Sequence, residues 1–312
     1  MSTTTTTTLI LVDCQNDFHP GGSLAIPTAN DDAQRIAQFI RDHPQGLHRI
    51  VATLDTHQKL HIAHPCFWVH VETGEHPPPF TILSAQELKE GKTWKPRSNL
   101  TLDENVLDPA VFDDCDSVMT TTTTIDDKVT DKKKKKKNNS IDLEKYCIAY
   151  AERLEAKGRF QICIWPEHCL IGTHGHAMVD VIQQACAEWT ETTGRSVEWC
   201  WKGQHILTEM YSALEADVPT TVDTRLNRSL LASWQRSDRV WVCGQAMSHC
   251  VNYTVRDLVE HWPAGSVDQV GILTDCASAV PGFEAAAETF LQDMKAKGVV
   301  LKKAAEVSLS SS

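Results

Sequence analysis

The sequence predicts a three-layer α/β fold with a parallel sheet of about six strands, and two observations lead to this prediction. Short apolar runs rich in β-branched residues alternate along the chain with stretches whose apolar residues have helical spacing. Most of these runs end directly at polar residues or glycine, as buried parallel strands do. Such alternation places helices on both faces of one sheet through right-handed crossovers.

Six runs, rich in Val, Ile and Leu, are predicted as the strands of this sheet. In chain order they are 8–12, 50–54, 160–164, 197–201, 240–243 and 267–273, followed by Asp13, Asp55, Trp165, Lys202, Gly244 and Thr274. Open α/β sheets bind ligands at the carboxyl ends of their strands. The residues that follow the runs are therefore the first candidates for a functional site.

Helical spacing follows most of the predicted strands. The first helix places Ala33, Ile36, Ala37 and Ile40 on one face, behind polar residues that can cap its start. The predicted helices are 29–42, 174–190, 223–236, 248–261 and 284–297.

The composition, with 41% hydrophobic and 23% charged residues, is that of a globular chain with a sizeable core. A length of 312 residues favours one α/β domain with an insertion. The formal net charge of −11 argues against a nucleic-acid partner. Seven Lys and three Asp within 126–137 contribute +4, so the remaining residues carry −15. No apolar stretch approaches the roughly 18 residues of a membrane span.

The cysteine pattern indicates a reducing compartment. The first eight residues have no basic region and no long apolar core, so we expect no secretory signal. The 11 Cys are odd in number and form no CxxC pair. We therefore expect reduced thiols and a cytoplasmic protein. One of these thiols is a candidate nucleophile, and composition does not say which.

An insertion at about 64–158 interrupts the alternation of strands and helices. Its first part, 64–95, is rich in Pro, His and aromatic residues and predicts an ordered excursion over the sheet. Residues 119–140 are of low complexity and are predicted as a disordered loop, because they cannot bury a core. We therefore predict a single domain over 1–312 that carries this insertion.

Cys250 is the first candidate for a catalytic residue. It follows a predicted strand and the turn at Gly244, in the first turn of the helix that begins near Ser248. The positive end of a helix dipole favours a thiolate, and the free N–H groups there can receive an oxyanion. A small buried residue is the ordinary alternative for a free Cys.

Two further candidates end predicted strands. Asp13 follows a fully apolar run and must be paired or exposed, and it could accept a proton from a thiol. Lys202 beside a carboxylate and a thiol would stabilise the thiolate or bind an oxygen. The alternatives are a turn cap for Asp13 and a solvated side chain for Lys202.

A third group of residues suggests a metal site. Asp55 and His57 leave a strand end as alternate residues that can point into one cleft, and His168 lies in the segment WPEHC. One carboxylate and two imidazoles are a suitable ligand set for a divalent metal. Further histidines lie near in sequence, namely His61, His64 and His174.

Taken in order, these motifs resemble the nicotinamidase branch of the isochorismatase-like cysteine hydrolases. The resemblance covers roughly 8–66 and 160–282. It rests on LVDCQNDF (11–18), PGGSL (20–24), LDTH (54–57), WPEHCLIGT (165–173), KG (202–203) and GQAMSHCV (244–251). The sequence departs from the usual pattern at Gln245, Met247 and His249, and the spacing between His57 and His168 is unusually long.

The resemblance implies a catalytic triad of Asp13, Lys202 and Cys250. In this family the thiol attacks a carboxamide carbon, and the carboxylate moves the proton to the departing ammonia. A cis peptide bond is expected between Gln245 and Ala246. The N–H groups of Ala246 and Cys250 are expected to form the oxyanion hole.

The same resemblance implies a binding site for metal and substrate. Asp55, His57 and His168 match the metal ligands, usually of zinc or a similar divalent ion. Phe18 and Trp165 match the aromatic residues that flank the substrate ring, and Tyr211 matches a pocket residue; ordinary core packing is the alternative for the two flanking residues.

We therefore expect hydrolysis of nicotinamide or a related aromatic carboxamide, by a protein that can form a homo-oligomer. Three alternatives remain open: an amidohydrolase for another amide or an N-carbamoyl substrate, a metal-binding homologue without turnover, and a redox-sensing thiol protein.

Overall fold

The computed structural model of the protein describes residues 5–100, 102, 106–113, 115–125 and 135–309. Within this part of the chain the strands are β1 (Thr7–Val12), β2 (Arg49–Asp55), β3 (Trp68–His70), β4 (Ile82–Leu83), β5 (Trp94–Pro96), β6 (Met119–Ile125), β7 (Lys135–Ile141), β8 (Ile162–Cys163), β9 (Glu198–Lys202), β10 (Arg239–Gly244), β11 (Val270–Leu273) and β12 (Val300–Lys302). The helices are α1 (Ala29–Asp42), α2 (Ala85–Glu90), α3 (Cys115–Val118), α4 (Leu143–Ala156), α5 (Asp180–Thr193), α6 (Arg228–Trp234), α7 (Cys250–Glu260) and α8 (Glu284–Ala296).

A six-stranded parallel sheet with the order β12-β11-β10-β1-β2-β9 forms the middle layer, which confirms the predicted fold class. Strand β1 is fully buried, and its successive side chains pack alternately in two different hydrophobic clusters. Ile10 and Val12 pack in the cluster that includes residues of α7 and α8. Leu9 and Leu11 pack in the cluster that includes residues of α1 and α5. The sheet is therefore covered by helices on both faces, and the carboxyl ends of β1, β2, β9 and β10 meet at one edge.

The membership of the sheet differs from the prediction at one strand. The apolar run 160–164 is buried, but its strand β8 has only two residues and pairs antiparallel with β4, outside the parallel sheet. The sixth position is taken by β12, which pairs with β11. An apolar run predicts burial, but it does not identify the partner strand. The run 267–273 also begins with a 3₁₀ turn, and β11 starts only at Val270.

The second predicted helix, 174–190, begins later than expected, at Asp180 in α5. The residues before it bond to the loop that follows β1. The N–H of Asn16 donates to Ala177 O at 2.9 Å, and that of Asp17 donates to Gly175 O at 3.1 Å. This tertiary pairing outweighs the local helical pattern. The predicted helix 29–42 agrees with α1 at both ends.

The segment predicted as an insertion supplies most of a third apolar cluster. Its members include Phe67, Trp68, Tyr146 and Tyr150, and residues that follow the segment, such as Leu207, complete it. Where a disordered loop was predicted over 119–140, the described ends instead pair as the antiparallel strands β6 and β7. The run of Thr in β6 is β-branched and suits a strand. Residues 126–134 lie outside the described residues, and the domain boundaries stay a prediction.

Within the described part of the chain, no helix combines the length and the apolar character that a bilayer crossing requires.

Candidate active site

Asp13, Lys202 and Cys250 meet at the carboxyl edge of the sheet. The Nζ of Lys202 lies 2.9 Å from Oδ2 of Asp13 and 3.4 Å from Sγ of Cys250. Asp13 and Lys202 are 0% and 1% exposed, and Cys250 is 5% exposed. A cation, a carboxylate and a thiol therefore share a site from which water is almost excluded.

The turn at the end of β1 directs the carboxylate of Asp13 into the site. Asp13 has a left-handed backbone with φ of 45°, a conformation that Asp tolerates better than most residues. Its N–H donates to Thr53 O at 3.2 Å, which ties the turn to the neighbouring strand β2. The hydroxyl of Thr53 donates to Oδ1 of Asp13 at 2.5 Å. One carboxylate oxygen thus meets a hydroxyl donor and the other meets the ammonium of Lys202.

Burial and neighbouring charges set the protonation of the three groups. Burial raises the pKa of the Cys250 thiol well above its ordinary value, although Lys202 acts in the opposite direction. Burial also raises the pKa of Asp13, and again Lys202 opposes the shift. Burial disfavours the charge of Lys202, but Asp13 and Asp55 outweigh it and hold the pKa of the ammonium well above its ordinary value. The resting site therefore pairs a neutral thiol with a carboxylate of increased basicity and a fixed cation.

Helix α7 begins at Cys250 and provides backbone donors beside the thiol. The peptide bond between Gln245 and Ala246 is cis, as the resemblance implied. Among the hydrogen bonds of the described residues, none uses the N–H of Ala246 or of Cys250. These two donors stand at the positions where an oxyanion hole was predicted, and they are available to an acceptor.

The residues predicted to bind the substrate lie in the same buried apolar cluster as Cys250. They are Phe18, Trp165 and Tyr211. The indole Nε1 of Trp165 donates to the hydroxyl of Tyr211 at 2.8 Å. The ring of Phe18 lies edge-on to that of His168, with centroids 5.6 Å apart. The structure therefore brings aromatic walls, thiol and histidines together, and the substrate-binding roles of these residues stay a prediction.

Three further aromatic rings surround Trp165, and the sequence did not predict their part in the site. His249 is 5.0 Å from Trp165, Phe283 is 5.7 Å away and Phe80 is 5.9 Å away, measured between ring centroids. Burial lowers the pKa of His249 to about 3, so its imidazole is neutral. Phe80 belongs to the excursion after β2 and is 50% exposed. The insertion thus contributes an aromatic contact to Trp165.

The predicted metal residues converge next to the triad. The Nε2 atoms of His57 and His168 lie 3.0 Å and 3.3 Å from Oδ2 of Asp55. The other oxygen, Oδ1, is 3.0 Å from Nζ of Lys202, so a single carboxylate joins the two groups of residues. Burial raises the pKa of Asp55, but His57 and Lys202 outweigh it and hold this pKa well below its ordinary value.

The donor set fits a divalent cation. The Nδ1 atoms of His57 and His168 lie 3.0 Å and 2.8 Å from the carbonyl oxygens of Gly203 and Pro166. A carbonyl oxygen only accepts, so Nδ1 of each ring carries a proton, and Nε2, which faces Asp55, is the atom that would bind a cation. The ligand atoms of these three buried side chains lie within 4.8 Å of one another. One carboxylate and two such imidazoles are chemically suited to a transition metal such as zinc.

Gln15 is a supporting residue that the sequence analysis did not single out. Its amide donates to Asp55 O and accepts the N–H of Asp55, both at 2.7 Å. The only signal was its position within the motif LVDCQNDF, two residues after Asp13. Gln15 therefore fixes the end of β2 from which Asp55 and His57 project.

Comparisons with known proteins support the fold. No protein-family model matches the chain. A curated relative, the nicotinamidase of Saccharomyces cerevisiae, is 44% identical over 57 residues. These residues make up 18% of this chain and 26% of the relative, so the match spans about a quarter of the curated protein.

Solved structures match over nearly the whole chain. A nicotinamidase pyrazinamidase from Acinetobacter baumanii has a TM-score of 0.56 at 19% identity and covers 97% of this chain and 98% of its own. The yeast nicotinamidase bound to nicotinaldehyde has a TM-score of 0.55 at 19% identity, and the match covers 95% of this chain and 99% of the yeast chain. PnC1 from L. infantum in complex with nicotinate has a TM-score of 0.53 at 20% identity, and the match covers 99% of both chains. At these identities the structures establish that the chain has their fold.

Proposed function

We propose that the protein, which has the fold of solved nicotinamidases, hydrolyses nicotinamide or a closely related aromatic carboxamide to the acid and ammonia. The observation that carries this proposal is the buried contact of Asp13 and Cys250 with a single cation, Lys202. A thiol, a proton acceptor and a fixed positive charge are what acyl transfer through a thioester requires.

The first half of the reaction forms the thioester. Asp13 takes the proton of the Cys250 thiol, and the sulfur attacks the carbonyl carbon of the amide. The negative charge moves to the carbonyl oxygen, which accepts hydrogen bonds from the N–H groups of Ala246 and Cys250. Asp13 then gives its proton to the amide nitrogen, the C–N bond breaks and ammonia leaves.

The second half regenerates the enzyme. Asp13 accepts a proton from a water molecule, and the water oxygen attacks the thioester carbon. The C–S bond breaks, the acid is released and the proton returns to the sulfur of Cys250. Lys202 keeps its charge throughout and offsets the negative charge that moves between the carboxylate and the sulfur.

The neighbouring residues orient the substrate ring. Phe18 and Trp165 are assigned to its two faces, with Tyr211 holding the indole nitrogen of Trp165 at 2.8 Å. Asp55, His57 and His168 are assigned to a divalent metal, for which we propose zinc. When bound, such a cation would supply a Lewis-acid contact for the ring nitrogen of nicotinamide or for a water molecule.

Ammonia release from nicotinamide tests this proposal. We expect release by the wild-type protein and none by Cys250→Ala. Cys147→Ala is the matched control, because Cys147 is buried in the separate cluster of the insertion. Treatment with a chelator should reduce release, and adding back Zn²⁺ should restore it.

Two results would count against different parts of the proposal. If the metal-loaded wild-type protein released no ammonia from nicotinamide, the substrate assignment would be wrong, and other amides and N-carbamoyl compounds would be tested in its place. If Cys250→Ala released ammonia at the wild-type rate, the thioester mechanism would be wrong for any substrate.

A further inference from the structure

A fourth buried histidine, His64, lies beside the metal residues. It is 0% exposed and belongs to the excursion that follows β2. Its ring centroid is 5.1 Å from that of His57 and 5.6 Å from that of His168. The imidazole therefore packs against two of the three residues to which the cation is assigned.

The hydrogen bond of His64 gives it the same tautomer as the two assigned ligands. Its Nδ1 lies 3.1 Å from the carbonyl oxygen of Lys59. As for His57 and His168, the carbonyl can only accept, so the proton of a neutral ring lies on Nδ1 and the lone pair on Nε2. Three imidazoles in this corner of the fold are thus held by backbone carbonyls in the form that binds a metal through Nε2.

The free nitrogen of His64 has no hydrogen-bond partner in the described part of the chain. Its Nε2 is buried and meets no hydrogen-bonding atom among the described residues. A buried polar atom without a partner costs about 1–3 kcal/mol, and such atoms are rare in native proteins. A cation at the adjacent site would give this lone pair a partner.

His61 serves as an internal comparison, because it lies in the same cluster but has no lone pair to offer. Its Nε2 lies 3.1 Å from the carbonyl oxygen of Thr208 and carries the proton. Its Nδ1 accepts the N–H of Ala63 at 3.1 Å. The ligand atoms of His57, His61 and His64 lie within 4.8 Å of one another. Both ring nitrogens of His61 are taken up by the backbone, whereas Nε2 of His57 faces the carboxylate of Asp55 and Nε2 of His64 has no partner among the described residues.

We propose that His64 is a fourth protein ligand, through Nε2, of the cation assigned to Asp55, His57 and His168. This inference rests on the metal site of the proposed function but not on its substrate. Three imidazoles and one carboxylate favour a borderline metal such as Zn²⁺ or Co²⁺ over Mg²⁺ or Ca²⁺. With His64 bound, one position fewer is left for water or for the substrate.

Binding of Co²⁺ to the metal-stripped full-length protein tests the assignment, since the visible spectrum of Co²⁺ reports its coordination number. We expect His64→Ala to weaken Co²⁺ binding by about 10- to 100-fold. The intensity of the visible bands should also fall as water replaces the imidazole. His61→Gln and His76→Ala are the controls: His61 has no free nitrogen, and His76 is an exposed histidine of the same excursion. Both should keep the wild-type spectrum.

A second variant keeps the test decisive if His64→Ala folds poorly. In His64→Cys, a thiolate bound to Co²⁺ adds a charge-transfer band in the near ultraviolet, which appears only if residue 64 reaches the ion. Appearance of the band supports the proposal. Its absence in a folded variant that binds Co²⁺, or an unchanged spectrum and affinity in folded His64→Ala, overturns it.

The result of the Co²⁺-binding test can be distinguished from the result of the nicotinamide-hydrolysis test. Failure of the wild-type protein to bind Co²⁺ also overturns the inference, together with the metal assignment. Binding of Co²⁺ with the expected His64 effects, but without hydrolysis of nicotinamide, leaves the inference standing and rejects the substrate only.

Discussion

The ammonium of Lys202 lies 2.9 Å from the carboxylate of Asp13, and neither side chain has appreciable contact with solvent. The same nitrogen is 3.0 Å from Asp55, one of the assigned metal ligands. Three strands of the sheet, β1, β2 and β9, each supply one of these residues at its carboxyl end. The catalytic and metal residues therefore form one electrostatic unit, in which a single cation offsets two buried carboxylates.

Removing the charge of Lys202 should destabilise the fold as well as abolish hydrolysis. Lys202→Met leaves Asp13 and Asp55 buried without their cation, a change that typically costs about 3–5 kcal/mol. Urea denaturation followed by circular dichroism measures the free energy of unfolding. Lys89→Met is the control, because Lys89 forms a half-exposed ion pair with Glu152, and loss of such a pair costs roughly 0–1 kcal/mol. Equal losses in the two variants would show that Lys202 does not stabilise the buried carboxylates.

The hydroxyl of Thr53 should matter for catalysis through Asp13. Thr53→Val keeps the shape of the side chain but removes the 2.5 Å hydrogen bond to Oδ1 of Asp13. A hydrogen bond to a charged group contributes about 1.5–3 kcal/mol, so we expect kcat/KM to fall by roughly 10- to 100-fold. Thr53→Ser retains the hydroxyl and should keep most of the activity. The role assigned to Thr53 is wrong if the Ser and Val variants are equally impaired in steady-state assays of ammonia release.

Phe80 is expected to support substrate binding from the insertion. Its ring lies edge-on to Trp165, and an aromatic pair of this kind contributes about 0.5–1.5 kcal/mol. Phe80→Ala should therefore raise KM for nicotinamide by roughly 2- to 12-fold, with little change in kcat. Val71→Ala, an exposed position of the same excursion, should leave both constants unchanged. A fall in kcat at constant KM would argue against a binding role.

Asp217 should make stability depend on pH in a direction opposite to that of ordinary acid denaturation. Burial raises the pKa of this carboxyl to about 8, although the guanidinium of Arg159 opposes the shift from 3.7 Å. Between about pH 4 and about pH 8 the folded protein therefore holds a proton that the unfolded chain releases. This contribution to stability is complete below the unfolded pKa and is lost as the pH rises through the folded pKa.

The variant Asp217→Asn isolates this effect, because an amide does not titrate. The free energy of unfolding of the wild type minus that of the variant should fall by up to about 1.4 kcal/mol per pH unit within the window. Urea denaturation from about pH 5 to about pH 8 measures the difference. Asp223→Asn, at an exposed position, is the control and should show no such slope. A wild-type minus Asp217→Asn difference that is constant with pH would mean that Asp217 is ionised in the folded protein.

The strands that carry the site were predictable because their signals are local. The apolar runs before Asp13, Asp55, Lys202 and Gly244 correspond to β1, β2, β9 and β10, which lie side by side in the sheet. The edge strand β12 was missed, since it has only three residues and follows α8 without an extended apolar run. The run 160–164 was assigned to the wrong sheet, because burial alone does not specify the partner of a strand.

The detailed geometry of the site was less accessible from sequence. Asp55 and His57 were found from their spacing at a strand end, and His168 was added from its segment WPEHC before the family resemblance gave all three the role of metal ligands. The protonated nitrogen of each imidazole is set by carbonyl oxygens such as those of Gly203 and Pro166, which folding brings to the rings. Phe80 reaches Trp165 only because the excursion folds back on the site. Contacts of this kind depend on tertiary structure and leave no local pattern.

If Cys250 carries the acyl group of the substrate, mass spectrometry of the protein quenched with acid during turnover will detect the thioester. With nicotinamide, we expect a fraction of the wild-type protein to be heavier by one nicotinoyl group, located on the peptide that contains Cys250 and absent from Cys250→Ala. Turnover by the wild type without any such adduct, together with undiminished turnover by Cys250→Ala, would contradict this expectation.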